Sequence, residues 1–171
     1  MHQIKNNLFF IFLFSFSSLF SQNFLKTDGK LIVNEVGDTI LLRGMGLGGW
    51  MVQEGYMMSP SGFSGTQKKI KKNIEKIIGE EETKKFYNLW LDNHVRKIDI
   101  DSMKSWGFNL VRAPIHYNLF TLPIEEEQDS LSYTGLTKGF ILLDSLLSWC
   151  EKNEMYLICL LYTSDAADER N

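Results

Sequence analysis

The stretch Trp106-Gly107-Phe108-Asn109-Leu110-Val111-Arg112-Ala113-Pro114-Ile115 decides the fold. Just upstream, Ile100 and Met103 recur with Trp106 at helical spacing, and Gly107 is placed to end that helix. The apolar residues after the glycine predict a buried strand, and the proline near its end holds the preceding residue extended. The sequence therefore predicts a helix, a short turn and a strand in immediate succession.

The same order repeats further along the chain. A helix capped by Thr137 and ending at Asn153 is followed by the apolar run Met155–Ile158, which we predict to begin another strand. The residues predicted to form the buried face of this helix are Phe140, Leu143, Leu147 and Cys150. Repeated helix–strand units are typical of a parallel α/β sheet or barrel, in which the chemistry lies at the carboxyl ends of the strands.

The residues before these units predict a hairpin and a basic helix. Leu31–Val33 and Thr39–Leu42 are β-rich runs that flank the turn formers of residues 34–38. Thr66 is placed to cap a helix that Gly79 ends. We interpret the lysines of that helix as its solvated face, and the net charge of −3 for 171 residues does not favour nucleic-acid binding.

The first residues have the pattern of an export signal. Lys5 precedes residues 8–20, an apolar run broken only by serines, which is shorter than the ~20 residues that a helix needs to cross a bilayer. We expect residues 1–21 to be a signal peptide, cleaved after Ser21. The mature protein is then secreted, periplasmic or held at the cell surface, with no membrane span.

The last residues do not fit the rest of the chain. Cys159–Glu169 resembles the in-frame translation of a sequencing adapter, so we expect residues 159–171 to be a non-native tail. The native sequence would then cover residues 22–158, whereas an α/β barrel needs about 250 residues. The chain is therefore expected to be the N-terminal part of a longer protein.

The glycine-rich stretch Arg43–Met57 raises the question of a phosphate-binding loop. It lacks the Gly-Lys-Ser/Thr ending of such loops, and its glycine spacing is only a weak match to a dinucleotide fingerprint. His94 and His116 lack metal-ligand spacing, and no serine lies in a Gly-x-Ser-x-Gly elbow. We therefore expect no metal and no cofactor. An unrelated α/β protein whose glycines bind a nucleotide is kept as an alternative hypothesis.

The remaining polar and aromatic residues near the predicted strand ends suit a carbohydrate. Aromatic faces bind sugar C–H surfaces, and carboxylates or amides bind hydroxyls. The residues of these types are Trp50, Glu54, Tyr56, Arg112, His116, Tyr117 and Asn118. Trp50 suits either the core or a cleft, and we expect it to be packing support. Arg112 needs a carboxylate partner if it is buried.

Three segments resemble glycoside hydrolase family five, nearest to its exo-β-1,3-glucanase and related β-glucanase branches. The three segments are Arg43–Met57, Trp106–Ile115 and Trp149–Ile158. In the first of them the resemblance lies in Leu47-Gly48-Gly49-Trp50-Met51-Val52-Gln53-Glu54-Gly55-Tyr56-Met57. The resemblance implies the N-terminal part of a (β/α)₈ TIM barrel with a leading β-hairpin, from a monomeric, secreted, retaining hydrolase of β-linked oligo- or polysaccharides. The family's two catalytic glutamates lie on later strands, so the chain itself is expected to be inactive.

The resemblance also implies roles for individual residues. Arg112 matches the arginine that contacts the nucleophilic glutamate and lowers its pKa. Glu54 matches an acid that binds sugar hydroxyls, with Tyr56 as a neighbouring aromatic residue. His116-Tyr117-Asn118 departs from the Gly-Tyr-Trp of exo-glucanases, so these residues are substrate-binding candidates that leave exo and endo action, and β-1,3 and β-1,4 linkage, open. The alternative function is a non-catalytic glycan-binding protein on the same scaffold.

Overall fold

A computed structural model of the chain describes residues 24–58, 65–122, 126 and 135–162. The signal-peptide prediction lies outside these residues, as do residues 163–171 of the predicted tail. The chain forms two compact units, residues 1–41 and 42–171. The strands of the first unit are β1 (Lys26–Asp28) and β2 (Leu31–Val33).

The first unit contains a hairpin, but between different strands from those predicted. β1 pairs antiparallel with β2 around a turn in which Gly29 takes a φ of 59°. The predicted pairing of Thr39–Leu42 with Leu31–Val33 forms only at its start and makes no strand: Val33 and Thr39 form an antiparallel bridge, and the Ile40 amide donates to the Ile32 carbonyl at 2.8 Å. The missed signal was the Asp-Gly pair at residues 28 and 29, which favours a tight hairpin turn.

The second unit is mixed α/β with a parallel sheet. Its strands are β3 (Gly44–Gly46), β4 (Leu110–His116) and β5 (Tyr156–Tyr162), and its helices are α1 (Gly55–Met58), α2 (Gln67–Ile78), α3 (Glu80–Asn93), α4 (Lys97–Ser105) and α5 (Thr137–Lys152). The strand order is β3-β4-β5, with both pairs parallel. Among the described residues the sheet is open and no barrel closes. The two predicted helix–strand units are confirmed as α4–β4 and α5–β5.

Pro114 lies inside the central strand, where a proline normally interrupts the ladder. In β4, Leu110 donates to Arg43, Arg112 accepts from Leu47, and His116 donates to Met51, so even-numbered residues direct their backbone groups toward β3. Pro114 therefore directs its nitrogen, which has no hydrogen, to the same side. Opposite Pro114, the segment that follows β3 turns away from β4 at residues 48–50. No carbonyl of that segment therefore depends on a hydrogen-bond donor at residue 114.

The core lies between one face of this sheet and the helices. Val111, Ala113 and Ile115 of β4 are buried together with Ile100 of α4 and Leu146 of α5. These alternate strand residues point to the helix-covered face, since successive side chains of a strand point to opposite faces. The opposite face carries Arg112, which is exposed.

The predicted buried face of α5 is partly wrong. Cys150 is buried, and Leu143 packs against the core, but Phe140 is 49% exposed and Leu147 is 50% exposed. Burial instead centres on the residues one position earlier: Gly139, Leu142 and Leu146. Apolar residues surround most of this helix, so spacing alone did not distinguish between adjacent faces.

Two helix-end predictions have different outcomes. Thr66 is confirmed as the cap of α2, because its hydroxyl accepts from the Lys69 amide at 3.2 Å. Thr137 is wrong as the cap of α5, since Leu136 occupies that position and Thr137 is the first helical residue. Trp106, predicted on the apolar face of α4, is 69% exposed, because it follows the last helical residue instead of continuing the buried stripe.

β5 is longer than the strand predicted from residues 155–158. It pairs with β4 over seven residues, from Leu110–Tyr156 to His116–Tyr162. The strand thus continues through Cys159–Tyr162, the first residues of the predicted tail. The β-forming character of these residues is sufficient for pairing whatever their origin, so the non-native tail stays a prediction.

Candidate functional site

The candidate residues follow the ends of β3 and β4. In a parallel sheet the carboxyl ends of neighbouring strands meet at one edge, which is where α/β proteins hold ligands. Glu54 and Tyr56 lie in the segment after β3, and His116 ends β4. Tyr117 begins the 3-10 turn that follows β4 directly, at residues 117–119.

Glu54 and Tyr56 form a hydrogen-bonded pair. The Tyr56 hydroxyl donates to Glu54 Oε2 at 2.9 Å. This hydrogen bond is the main reason that the pKa of Tyr56 is raised above its ordinary value, with smaller contributions from desolvation and the charge of Glu54. Tyr56 is 76% exposed. The pair therefore presents an aromatic face next to a half-buried carboxylate.

Arg112 has a weak electrostatic effect on this pair. The positive charge of Arg112 lowers the pKa of Tyr56 and so opposes the effect of Glu54. By register, Arg112 shares a sheet face with Gly46 of β3 and Ile158 of β5. Within the described part of the chain no carboxylate forms an ion pair with the exposed Arg112 guanidinium. Arg112 is thus linked to the Glu54–Tyr56 pair by a weak electrostatic effect, which is smaller than that of Tyr162 at the end of β5.

His116 and Tyr117 form the other part of the edge. Their rings pack at a centroid distance of 4.9 Å and an interplanar angle of 32°. His116 is buried, with 4% of its surface exposed, and its Nδ1 accepts from the Asn118 amide at 3.4 Å. The half-buried ring of Tyr117 is thus more open to solvent than the imidazole against which it packs.

Trp50 is buried beneath the segment that leads to Glu54. Its indole N–H donates to the Leu91 carbonyl of α3 at 2.8 Å, and Trp90 of the same helix donates back to the Gly49 carbonyl at 2.9 Å. Gly49 has a φ of 80°, which side-chain-bearing residues rarely adopt. This glycine and the two indoles fix the turn between β3 and the candidate site.

Sequence reasoning missed Gln67 and Tyr87, which hydrogen-bond to Gln53, the residue before Glu54. Gln53 is 3% exposed; its amide donates to Gln67 Oε1 of α2 at 2.8 Å, and its side-chain carbonyl accepts from the Tyr87 hydroxyl of α3 at 2.7 Å. Burial, helped by the charge of Glu75, raises the pKa of Tyr87 to about 12. A glutamine in a lysine-rich helix gives no signal of such a contact.

Two further properties bear on the kind of site. No three histidine, cysteine, aspartate or glutamate side chains cluster around a possible metal position among the described residues. None of the described helices is long and apolar enough to cross a membrane.

Two curated proteins are similar to the chain, while no protein-family model matches it. The chain is 30% identical over 141 residues to a beta-xylosidase of Phanerodontia chrysosporium, covering 82% of this chain and 28% of that protein. It is 31% identical over 138 residues to glucan 1,3-beta-glucosidase 2 of Saccharomyces cerevisiae, covering 69% of this chain and 24% of that protein. The chain thus resembles two proteins named as β-glycosidases, and it spans about a quarter of their length.

Proposed function

We propose that the chain is the N-terminal part of a secreted glycoside hydrolase that acts on β-linked glucans. The observation that carries the proposal is the hydrogen-bonded Glu54–Tyr56 pair, which follows β3 of a parallel sheet, with Arg112 on the neighbouring strand β4. A carboxylate next to an exposed aromatic ring is a suitable arrangement for a sugar, because the ring covers C–H surface and the carboxylate accepts from hydroxyls. The similarity to two β-glycosidases supports the same class.

The finer assignment is a retaining hydrolase of family five on a (β/α)₈ barrel, of which the described sheet would be the first part. In such an enzyme two carboxyl groups about 5–5.5 Å apart act as acid/base and nucleophile through a covalent glycosyl-enzyme. We propose that both glutamates belong to later strands that this chain does not contain. The chain by itself would then bind glycan without cleaving it.

Each candidate residue has a role in this proposal. Arg112 supports the nucleophile, because a guanidinium beside a carboxyl favours its ionised form and so lowers its pKa. Glu54 and Tyr56 bind the sugar at one subsite, and Tyr117, supported by His116, offers a second aromatic surface. Trp50 acts from the core by fixing the turn before Glu54.

The chain boundaries and location belong to the same proposal. Residues 1–21 are a signal peptide, residues 22–158 the N-terminal part of the catalytic barrel, and residues 159–171 a non-native tail. The mature enzyme is a monomer that is secreted, periplasmic or held at the cell surface. Re-amplifying the source DNA across codon 158 tests the tail, because a native reading frame would replace the adapter-like codons.

The decisive experiment is to express the complete reading frame and assay it on β-1,3- and β-1,4-glucan. Proton NMR of the first product formed should show the β-anomer if the configuration is retained. Replacing Arg112 with methionine should lower the turnover rate strongly while the protein stays folded. A complete protein that binds these glucans but never cleaves them would favour the non-catalytic alternative and refute the enzyme proposal.

A further inference from the structure

Gln53 is held at two atoms by side chains from two different helices. Gln67 of α2 accepts from its backbone N–H at 2.8 Å, and Tyr87 of α3 donates to its side-chain carbonyl at 2.7 Å. Gln53 immediately precedes Glu54, the candidate sugar-binding carboxylate. The position of Glu54 is therefore determined by residues that do not lie at the edge themselves.

Gln67 also reaches the segment after β4. Its side-chain N–H donates to Asn118 Oδ1 at 3.5 Å, and the Asn118 amide donates to His116 Nδ1. One glutamine side chain thus touches both segments of the candidate site, through its oxygen on one side and its nitrogen on the other. Because both contacts come from a single amide group, they fix the spacing between the two segments.

Because Gln53 is buried, losing its hydrogen bond to Gln67 should displace the segment that carries Glu54. Gln53 is 3% exposed, and a buried backbone N–H that loses its acceptor has no water to replace it. The segment would have to shift toward solvent to satisfy that group, and Glu54 and Tyr56 would move with it. The side-chain Nε2 of Gln53 already has no hydrogen-bond partner among the described residues, so losing the backbone bond would leave a second buried polar group of this residue unsatisfied.

We propose that Gln67 is a positioning residue for glycan recognition: it sets the distance between the Glu54–Tyr56 pair and the His116–Asn118 segment. Tyr87 assists it by holding the side chain of Gln53. The identity of the ligand as a glycan rests on the proposed function, whereas the spacing that Gln67 sets between the two segments does not. The oxygen of Gln67 is the essential atom, because it makes the short hydrogen bond, whereas its nitrogen makes the longer one.

Two substitutions that nearly preserve side-chain size separate the contribution of the Gln67 oxygen from that of its nitrogen. Gln67→Met removes both hydrogen bonds, whereas Gln67→Glu keeps an acceptor for the Gln53 amide. Lys72→Met on the exposed side of the same helix is the control for a methionine in α2. The measurements are the NMR titration of the Tyr56 ring, assigned with Tyr56→Phe, the hydrogen exchange of the Gln53 amide, and the affinity for β-1,3- and β-1,4-linked glucotriose.

Gln67→Met should lower the pKa of Tyr56 toward its ordinary value, speed exchange at Gln53 and weaken glucotriose binding by roughly tenfold. Gln67→Glu should restore slow exchange and keep the affinity within about twofold of the original. The positioning role is overturned if Gln67→Met leaves Tyr56 and Gln53 as they were, or if Gln67→Glu behaves like Gln67→Met. A complete protein that binds neither glucotriose refutes the proposed function, while the Tyr56 and Gln53 measurements still decide the geometry.

Discussion

The two faces of the central strand β4 differ at Arg112, which is the only exposed residue among the seven of this strand. Val111 and Ala113 are 0% and 1% exposed and face the helices, whereas Arg112 between them is exposed on the other face. The helix-covered face holds the core, and the opposite face carries the group that influences Tyr56. Substitutions at Val111 and Ala113 should therefore change stability, whereas a substitution at Arg112 should mainly change ligand binding.

The largest effect should come from the helix packed on the covered face. Leu146→Ala removes a side chain that is 0% exposed, and we expect it to lower the free energy of unfolding by about 2–5 kcal/mol. Leu147→Ala is the matched control, since Leu147 is 50% exposed and should cost less than about 1 kcal/mol. Urea unfolding of both variants measures the difference. Equal losses would mean that the covered face is not the stabilising one.

This pair also shows where sequence reasoning reached its limit. Spacing predicted that Phe140, Leu143, Leu147 and Cys150 share a buried face, yet burial centres one residue earlier. Apolar residues occupy most positions from residue 140 to 150, so several faces satisfy a helical period equally well. The choice is made by a contact that is distant in sequence: Gly139 lies against the backbone of Leu119, and Phe140 packs edge-on against Phe120.

For the candidate site, the sequence was sufficient to predict the location of the residues but not their burial or their supporting contacts. The order of helices and strands was sufficient to put Glu54, His116 and Tyr117 near strand ends, because parallel strands bring those ends to one edge. Burial could not be assigned, since a histidine at a strand end suits either a site or a core. Gln67 and Tyr87 were missed because their hydrogen bonds to Gln53 depend on how α2 and α3 pack, which no local pattern encodes.

The next effect tests the contact that sets the face of α5. A Cβ on Gly139 would lie 2.6 Å from the Leu119 carbonyl oxygen, which belongs to backbone that has little freedom to move. Gly139→Ala should therefore cost about 1–3 kcal/mol and displace the turn that carries Tyr117. Gly46→Ala is the control, because no atom lies within 4 Å of its added carbon. A neutral Gly139→Ala would show that the turn yields freely.

A smaller effect should appear on the covered face at alkaline pH. Burial, with a contribution from Cys159, raises the pKa of Cys150 from an ordinary 9.0 to about 11. The unfolded chain then ionises first, so the stability from this thiol is intact below about pH 9 and is lost as pH rises through about 11. The loss should reach about 2 kcal/mol near pH 11.

Comparing the original protein with Cys150→Ala isolates this thiol from other groups that titrate at high pH. Tyr87, with a pKa of about 12, also loses its contribution above its ordinary 10.0 and is present in both proteins. The difference in free energy of unfolding between the two should therefore change only between about pH 9 and 11. A difference that is constant with pH would mean that Cys150 is not effectively shielded from water.

The smallest effect on stability should come from the edge that carries the candidate site. Tyr56→Phe deletes the hydroxyl that donates to Glu54, but Tyr56 is 76% exposed, so water can replace the lost hydrogen bond. We therefore expect the midpoint of urea unfolding to stay close to that of the original protein. The affinity for glucotriose should fall severalfold, because the Glu54 carboxylate loses the donor that orients it. A clear fall in that midpoint with unchanged affinity for glucotriose would show that the Glu54–Tyr56 pair supports the fold and does not contact the sugar.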